Sequence, residues 1–171
     1  MNIEIVYYQS PVGVLEIRST GNVISDVLFL NSWKGTKVNE TDLVFTKPQS
    51  SAIKNCIKQL DEYFSGKRVE FKMEIAQVGT DFQQGVWKEL MNIPYGRTIS
   101  YLELSKRIGN VKAIRAVGTA NGNNSICIIV PCHRVIGKAG ELRGYFYGLD
   151  TKMRLLRHEN PVRFAEQGEL F

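Results

Sequence analysis

Alternation of apolar and polar residues near the start of the chain predicts a small antiparallel sheet. Residues 3–7 alternate, and the segment 10–13 then breaks the pattern. Two further runs, 14–18 and 23–30, are separated by a Thr-Gly-Asn turn at 20–22. Period-two alternation interrupted by turn residues is typical of strands joined by short connections. We therefore expect three strands in an antiparallel meander.

The next apolar pattern is helical. From Ile53 onward, apolar side chains recur at i, i+4, i+7 and i+11, and Gly66 fits a C-terminal cap. This spacing predicts a helix over 48–66, with Cys56 as a small core or half-buried residue. An extended connector follows, and we place a domain boundary near Gly79.

Short helices are predicted for the next part of the chain. One begins at Thr80, where Thr-Asp-Phe-Gln forms a capping box, and ends at the Ile-Pro-Tyr-Gly segment 93–96. A second capping box at 100–103 opens a helix, and another helix covers 112–121 after a Gly-containing turn at 109–111. Two short helices joined by such a turn form a helix-turn-helix pattern. The alternative is an ordinary corner in a helical core.

An apolar run at 126–130 predicts a buried strand that ends at Pro131, because proline cannot donate to a strand ladder. Cys132 would then stand at a strand end, where a reactive group is accessible on a rigid backbone. Residues 135–142 suggest a hairpin, and a last helix is predicted over 150–159.

Basic charge is concentrated in the second half of the chain. Residues 1–79 carry 9 Lys/Arg and 9 Asp/Glu, so the whole net charge of +5 comes from residues 80–171. Residues 97–157 alone carry 11 Lys/Arg and 3 Asp/Glu. Such a local excess favours a polyanionic partner such as nucleic acid, and a solvated basic surface is the alternative.

The cysteine count favours a reducing compartment. Three cysteines, Cys56, Cys127 and Cys132, do not build a disulfide framework. The N-terminus lacks a signal-peptide pattern, and no apolar run approaches the roughly 20 residues of a membrane span. We expect a cytoplasmic protein with no membrane partner.

Cys132 is the candidate nucleophile. A thiol reacts as the thiolate, which needs a base or nearby positive charge, and His133 and Arg134 follow directly. Glu159, at the end of the last predicted helix, is a candidate to orient the base. Because neighbours on a strand point to opposite faces, Cys132 and His133 are expected to communicate through a bend or a bridging water. The alternative is an inert buried thiol beside a surface histidine.

A metal site is not expected. Zinc favours closely spaced ligand pairs, whereas Cys127 and Cys132 are five residues apart and His158 is the only histidine besides His133.

The sequence Ile-Ile-Val-Pro-Cys-His-Arg-Val at 128–135 resembles the active-site signature of the O6-alkylguanine-DNA alkyltransferase (methylated-DNA–protein-cysteine methyltransferase) family. The resemblance runs without an obvious gap over about residues 80–159. Further matching segments occur in the family order: Ile93-Pro94-Tyr95-Gly96, Ser100-Tyr101, Lys112 to Gly118, Asn124, Gly144-Tyr145 and Leu155 to Glu159. Residues 1–79 resemble the family's variable N-terminal domain only in size and order of elements.

The resemblance implies an α+β fold with two domains. Residues 1–79 would form a small ribonuclease-H-like α/β domain, and residues 80–171 a mostly helical domain with a winged-helix-like helix-turn-helix. It implies irreversible, single-turnover transfer of an alkyl group, mainly methyl, to Cys132 from O6 of guanine and less readily from O4 of thymine. The expected partner is double-stranded DNA with alkylated bases, and the expected protein is a monomer that needs no cofactor.

The resemblance also assigns roles to individual residues. Cys132 would accept the alkyl group, His133 would deprotonate it through a water, and Glu159 would hold His133. Tyr101 would donate its phenol proton to ease departure of guanine, and Asn124 would brace the turn before the cysteine segment.

DNA contacts are expected from the helix-turn-helix and the acceptor segment. The residues are Tyr101, Lys106, Arg107, Lys112, Arg115, Ala116, Thr119 and Arg134. An alkylated base inside a duplex must leave the stack to reach a rigid thiol. Arg115 would fill the resulting gap or contact a phosphate. Family members place this helix in the minor groove, whose code is degenerate, so weak sequence dependence is expected.

The pocket for the flipped base is expected to be narrow. Its residues are Val130, Pro131, Tyr145, Phe146, Tyr147 and Lys152. Phe146 and Tyr147 stand where some family members have glycine or serine, which favours methyl over benzyl. Ser125 stands where many members have proline after the hinge asparagine, so this turn is expected to be less rigid.

The C-terminal segment 167–171 has the sequence Gln-Gly-Glu-Leu-Phe, which resembles the Q-x-x-L-F pentapeptide that docks bacterial repair proteins on the sliding clamp. A frayed tail is the alternative.

Two other functions stay open at this point. A non-catalytic helix-turn-helix protein of the alkyltransferase-like type would replace the acceptor cysteine, whereas Cys132 is present. A cysteine hydrolase would need turnover and an oxyanion hole, for which the sequence offers no separate signature.

Overall fold

The structure, a computed structural model, describes residues 2–30 and 38–165. The chain forms two compact units. The first consists of residues up to Val78 together with Ser125–Ile129, and the second of Gly79–Asn124 and the residues from Val130 onward. Strands dominate the first unit and helices the second, which confirms the predicted α+β class.

The first unit is built on a three-stranded antiparallel sheet. Strands β1 (Ile3–Ser10), β2 (Gly13–Thr20) and β3 (Val23–Phe29) lie in sequence order, as the alternation predicted. Helix α1 (Ser51–Phe64) packs on this sheet. The helix begins three residues later than expected at Pro48, because Ser50 is its N-cap and accepts a hydrogen bond from the Ile53 amide.

Cys56 lies in the core of the first unit, as predicted. Its side chain is fully buried, and burial raises the pKa of its thiol to about 12. A thiol that stays protonated at neutral pH and has no solvent exposure is a packing residue.

The predicted continuous strand at 126–130 is wrong. Ile126 forms only an isolated parallel bridge with Val27, and the Cys127 amide donates to the Val27 carbonyl at 2.9 Å. The next residue, Ile128, has a φ of 73°. A β-branched residue in this left-handed region interrupts an extended strand and costs about 1–3 kcal/mol. The chain therefore turns before it reaches the cysteine.

The described part of the second unit contains four α-helices. They are α2 (Asp81–Leu90), α3 (Tyr101–Arg107), α4 (Ile114–Gly122) and α5 (Leu149–Glu159). Thr80 and Gln83 form the predicted capping box at α2. Trp87 of α2 donates from its indole nitrogen to the Ala120 carbonyl at 2.8 Å, which holds α4 against α2.

Helices α3 and α4 form the predicted helix-turn-helix pair. They are joined by Gly109, at a φ of 81°, and a 3₁₀ turn at Val111–Ala113. Ser100 caps α3 by accepting from the Glu103 amide, but no reciprocal bond completes the expected capping box. The Glu103 carboxylate accepts instead from Arg107.

The hairpin expected at 135–142 is also wrong. Strand β5 (Val135–Ile136) pairs in parallel with β4 (Ile99–Ser100), which directly precedes α3. Only a turn closes after β5, where the Gly137 amide donates to the Glu141 carbonyl at 2.8 Å. This pairing ties the segment after the cysteine to the start of α3.

No helix in the described part of the chain is both long and apolar enough to cross a membrane.

Candidate active site

Cys132 begins a 3₁₀ turn, Cys132–Arg134, rather than ending a strand. The residue is only 3% exposed. Pro131 is the N-cap of this turn, and the Cys132 amide donates to the Val130 carbonyl at 2.9 Å. The backbone at 130–134, which we call the acceptor segment after the role that the resemblance implies for Cys132, is therefore fixed by a tight turn in the core of the second unit.

Two buried asparagines hold the backbone around the cysteine. Asn124 donates from its side chain to the Val130 carbonyl at 2.7 Å. Asn121, on α4, donates to the Cys132 carbonyl at 3.4 Å. Asn121 was not among the predicted site residues, although a polar residue on the inner side of an amphipathic helix was a signal that could have identified it.

Burial raises the pKa of the Cys132 thiol. Asn124 and the positive charge of Lys152 act in the opposite direction, but burial prevails. Because the thiol is protonated at rest, it needs a base before it can act as a nucleophile.

His133 and Glu159 provide a buried imidazole–carboxylate pair. The His133 Nε2 atom lies 2.8 Å from Glu159 Oε1, and both side chains are almost wholly inaccessible to solvent. Burial lowers the pKa of His133, even though Glu159 favours the protonated ring. The Nδ1 atom makes no hydrogen bond to the described protein atoms. A neutral imidazole held through one nitrogen can accept a proton at the other.

Arg134 faces the interior, which contradicts its predicted DNA contact. Its Nε and Nη2 atoms donate to the two carboxylate oxygens of Glu159, each at 2.9 Å. Its Nη1 atom donates to the Ile93 carbonyl at 2.6 Å, and the residue is 6% exposed. The prediction failed because a basic residue in a basic region was assigned to the surface, whereas Glu159 holds it in the core.

Glu159 stays ionised in this setting. Burial alone would raise its pKa, but the contacts with His133 and Arg134 outweigh burial and hold the pKa well below the usual value. The Gly96 amide adds a longer hydrogen bond of 3.3 Å to Glu159 Oε2.

Gly96 lets the 93–96 turn approach α5 closely. Its φ is 72°, and a Cβ added there would lie 3.2 Å from the Glu159 carbonyl oxygen. We expect Gly96→Ala to destabilise the protein by about 1–3 kcal/mol because of backbone strain, plus the cost of displacing α5. Urea unfolding measures this. Gly109→Ala is the matched control, since Gly109 has a φ of 81° with no heavy atom within 4 Å of the added Cβ. Equal losses in the two variants would contradict the close contact.

Tyr101 and Lys152 meet at one backbone carbonyl. The Tyr101 hydroxyl and the Lys152 Nζ atom each donate to the Arg143 carbonyl at 2.9 Å, and the two groups are 3.4 Å apart. Burial raises the pKa of Tyr101 to about 12 and lowers the pKa of Lys152 to about 8. Tyr101 therefore carries its proton at neutral pH, whereas Lys152 titrates close to neutral pH.

An open groove of about 620 Å³ lies between α4 and the loop at 143–146. It is lined by Tyr101, Arg115, Gly118, Thr119, Gly122, Arg143, Gly144, Tyr145 and Phe146. Of the predicted pocket, Tyr145 and Phe146 line this groove, whereas Val130, Pro131, Tyr147 and Lys152 are buried outside its lining.

The exposed face of the helix-turn-helix carries most of the predicted DNA contacts. Lys106, Lys112, Arg115, Ala116 and Thr119 are all exposed. Arg107 is different, because its guanidinium is paired with Glu103 at 3.1 Å and Glu89 at 3.7 Å. Its charge is therefore partly neutralised within the protein.

Fold and site together define a helix-turn-helix protein with a buried cysteine that is followed in the chain by the histidine of a buried imidazole–carboxylate pair. The family model described as 6-O-methylguanine DNA methyltransferase, DNA binding domain, matches residues 81–161. The model for the ribonuclease-like domain of the same methyltransferase matches residues 5–77. The chain belongs to the 6-O-methylguanine DNA methyltransferase family, which confirms the resemblance found in the sequence.

Individual relatives agree with this assignment. The chain is 45% identical over 150 residues to the methylated-DNA–protein-cysteine methyltransferase of Mycobacterium tuberculosis strain H37Rv, with 88% of each protein covered. It is 42% identical over 162 residues to the protein of that name from Methanosarcina barkeri, covering 92% of this chain and 100% of the relative.

Solved structures match over nearly the whole chain. The crystal structure of the Mycobacterium tuberculosis O6-methylguanine methyltransferase has a TM-score of 0.80 at 40% identity and covers 99% of this chain and 98% of that one. The Mycobacterium tuberculosis OGT protein in complex with DNA has a TM-score of 0.78 at 43% identity, with 91% of each chain covered.

Proposed function

We propose that this protein repairs alkylated DNA by moving an alkyl group, mainly methyl, from O6 of guanine to its own Cys132. The observation that carries the proposal is the buried Cys132 thiol beside the His133–Glu159 pair, in a chain of this family. The non-catalytic alternative is not favoured, because the acceptor cysteine is present. O4 of thymine is a second, poorer substrate in this proposal.

The proposed step is a single displacement. The Cys132 thiolate attacks the alkyl carbon, the new C–S bond forms, and the bond from that carbon to O6 of guanine breaks. Guanine leaves with the electron pair of the broken bond and takes up a proton. Because water does not hydrolyse the thioether product at a useful rate, each protein molecule acts once.

His133 is the proposed base. Its Nδ1 atom accepts the thiol proton through a water, and Glu159 fixes the ring through Nε2 at 2.8 Å. This is the base-plus-orienter arrangement that activates a weak nucleophile.

Tyr101 is the proposed proton donor to the departing guanine. It lines the groove and carries its proton at neutral pH, since burial raises its pKa to about 12. Lys152, 3.4 Å from the phenol oxygen, stabilises the charge that develops when that proton leaves. Asn124 keeps the acceptor segment in register through its bond to the Val130 carbonyl.

Helix α4 is the proposed DNA-reading element. Arg115 is exposed and lines the groove, so it is placed to occupy the gap left by a flipped nucleotide. Lys106 and Lys112 are proposed to contact phosphates, which makes binding weaken as salt rises. Ala116 and Thr119 lie on the same exposed face and approach the minor groove in this proposal.

Mass spectrometry tests the proposed function directly. The protein is incubated with a duplex containing O6-methylguanine and then digested. We expect the mass of one methyl group on the peptide that contains Cys132, one per protein molecule, and unmodified guanine in the DNA. An unchanged peptide mass with an excess of substrate would reject the proposal.

The groove is expected to discriminate by alkyl size. Phe146 and Tyr147 stack edge to face, with ring centroids 5.3 Å apart, and fill space beside the groove. We expect free O6-benzylguanine to inactivate the protein poorly, and the Phe146→Gly/Tyr147→Gly double variant to react with it at least about tenfold faster. Residual methyl-transfer activity after incubation measures this. The rate with O6-methylguanine DNA is the control, and rapid inactivation of the unaltered protein by the free base would contradict the expectation.

Sliding-clamp binding remains a separate proposal. The segment 167–171 lies outside the described residues, so its support is the Q-x-x-L-F pattern alone. We expect deletion of 167–171 to remove clamp binding in surface plasmon resonance while methyl transfer is unchanged. Equal clamp affinity of the shortened and full chains would reject the idea.

We further infer a monomer that works in the reducing cytoplasm. Three free cysteines, including the acceptor, support a reducing compartment, because oxidation of Cys132 would block transfer. Sedimentation of the free protein tests the monomer, and cell fractionation tests the compartment.

A further inference from the structure

Arg134 is held rigidly inside the second unit. It forms a two-pronged ion pair with Glu159, bonds the Ile93 carbonyl, and lies 5.8 Å from the centre of the Tyr95 ring. A guanidinium fixed on three sides cannot swing out to a phosphate. Its function must therefore be sought within the buried cluster.

The charge balance of the cluster depends on this guanidinium. Cys132, His133, Glu159 and Arg134 are at rest a thiol, a neutral imidazole, a carboxylate and a guanidinium, and the charges of these four groups cancel. The Lys152 ammonium is a separate buried cation that donates to the Arg143 carbonyl. After proton transfer from Cys132 to His133, a thiolate and an imidazolium are added, and the sum is still zero. Neither state leaves a net charge among these four groups, and an unbalanced charge in a low-dielectric interior is costly.

Without Arg134, the buried Glu159 carboxylate would lose the guanidinium that donates to both of its oxygens. The nearest titratable group is His133, at 2.8 Å from Oε1, and a proton on that ring would balance the carboxylate. An imidazole that is already protonated cannot accept the proton of Cys132.

We propose that Arg134 is a positioning residue that sets the resting protonation state of His133: by pairing with both oxygens of Glu159, it leaves the imidazole neutral and able to accept the thiol proton. The inference rests on the proposed function for what the base does. The protonation state itself is a property of the free protein.

Other charged or titratable groups also face this site. They are Cys132 from the same turn, Lys152 from α5, Tyr95 from the turn after α2, and Tyr101 from α3. Lys152 acts on His133 in the same direction as Arg134, but its Nζ atom donates to the Arg143 carbonyl. Arg134 is the cation whose nitrogen atoms reach both Glu159 oxygens.

The test is an NMR titration of the His133 ring in the free protein, compared among variants. In the unaltered protein the ring is expected to stay neutral down to below pH 6.5, its ordinary pKa. In Arg134→Met the His133 pKa is expected to rise by about 1 or more. Arg134→Lys keeps the positive charge but loses the two-pronged geometry. Its His133 pKa is expected to lie between that of the unaltered protein and that of Arg134→Met. Arg68→Met, which removes a surface partner of Glu62, is the control and should leave the His133 titration unchanged.

The transfer rate provides the second readout. The acid limb of the single-turnover pH–rate profile should move to higher pH in Arg134→Met, with a rate at neutral pH at least about tenfold lower. A purely structural residue would lower the amount of active protein but leave the position of the acid limb unchanged. That result, or an unchanged His133 pKa, would overturn the proposal.

A double variant keeps the proposal testable if Arg134→Met does not fold. Arg134→Met/Glu159→Gln leaves neither buried charge unpaired, and such neutral replacements are often tolerated. Its His133 pKa is expected to remain below 6.5, because the carboxylate that would attract the proton is gone. A raised His133 pKa in the double variant would refute the charge argument. If the unaltered protein fails to transfer methyl groups, the proposed function fails, whereas the ring titration still decides this inference.

Discussion

Cys132→Ala protein binds O6-methylguanine duplex DNA as tightly as the unaltered protein but takes up no methyl group. We expect this result because the thiol is the proposed acceptor, while the proposed phosphate contacts lie on a different, exposed surface. Fluorescence anisotropy at several salt concentrations measures binding, and mass spectrometry of the protein measures transfer. The salt dependence of binding should be unchanged, since no basic residue is altered.

Cys56→Ala is the matched control for this experiment. Cys56 is also fully buried, but it lies in α1 of the first unit and has no part in the proposed step. It should retain one methyl group per protein molecule. Methyl transfer by the Cys132→Ala protein would show that another residue is the acceptor, and loss of DNA binding would show that the acceptor segment also shapes the DNA-binding surface.

Glu159→Gln should cause the largest combined loss of stability and rate. The change keeps the shape of the side chain but removes the charge that balances Arg134, and removing one partner of a buried ion pair costs about 3–5 kcal/mol. It also weakens the hold on His133, so single-turnover transfer should slow by about 10²–10⁴-fold, the range for loss of general-base catalysis. Urea unfolding and rapid-quench transfer measure the two effects.

Glu62→Gln is the control for the ion pair. Glu62 pairs with Arg68 at 2.6 Å, but both side chains are partly exposed, so the expected loss is within about 1 kcal/mol. A Glu159→Gln protein as stable as the Glu62→Gln protein would mean that the buried cluster adds nothing to folding.

Lowering the pH should reveal how much the same buried cluster contributes to the stability of the unaltered protein. The pKa of Glu159 in the folded protein is held below its ordinary value of 4.5, so its contribution to stability is present above about pH 4.5 and is lost as pH falls below it. His133 acts in the same direction, because its folded pKa is below 6.5 and the unfolded chain takes up a proton first. Stability should therefore decline on acidification from about pH 6.5, and the decline below pH 4.5 should be shallower in Glu159→Gln.

The cluster also explains why a protein that acts once can use a buried thiol. The Cys132 thiol is protonated at rest, which protects it from unwanted electrophiles and oxidation before a lesion arrives. The proposed base, His133, already lies 2.8 Å from Glu159, and Arg134 already pairs with that carboxylate. The thiol therefore reacts when an alkylated nucleobase enters the site, and it does not need to be permanently ionised.

Local patterns in the sequence determined most of the fold. The three strands follow from period-two alternation, α1 and α2 from helical spacing and capping residues, and the α3–α4 pair from a capped start and a glycine turn. These features depend on residues within a few positions of one another, so they can be predicted without the tertiary structure.

The same patterns predicted the wrong structure for the segment that leads to Cys132. An apolar run at 126–130 is equally compatible with a strand and with a buried irregular turn, and the positive φ of Ile128 leaves no mark in the sequence. Strand β5 likewise pairs with β4, which lies more than thirty positions earlier. Pairing at this distance is decided by packing of the whole unit.

What the sequence determined by itself is the chemistry: the Pro-Cys-His-Arg-Val motif, the acid at the end of the last helix and the basic second half identified the family and its acceptor. What only the tertiary structure decided is which charged side chains are buried and which are exposed. Arg134 was assigned to DNA from its surroundings in the chain, but it lies against Glu159, 25 positions away. A charged side chain can be buried only if folding brings an oppositely charged partner to it, and here that partner is distant in sequence.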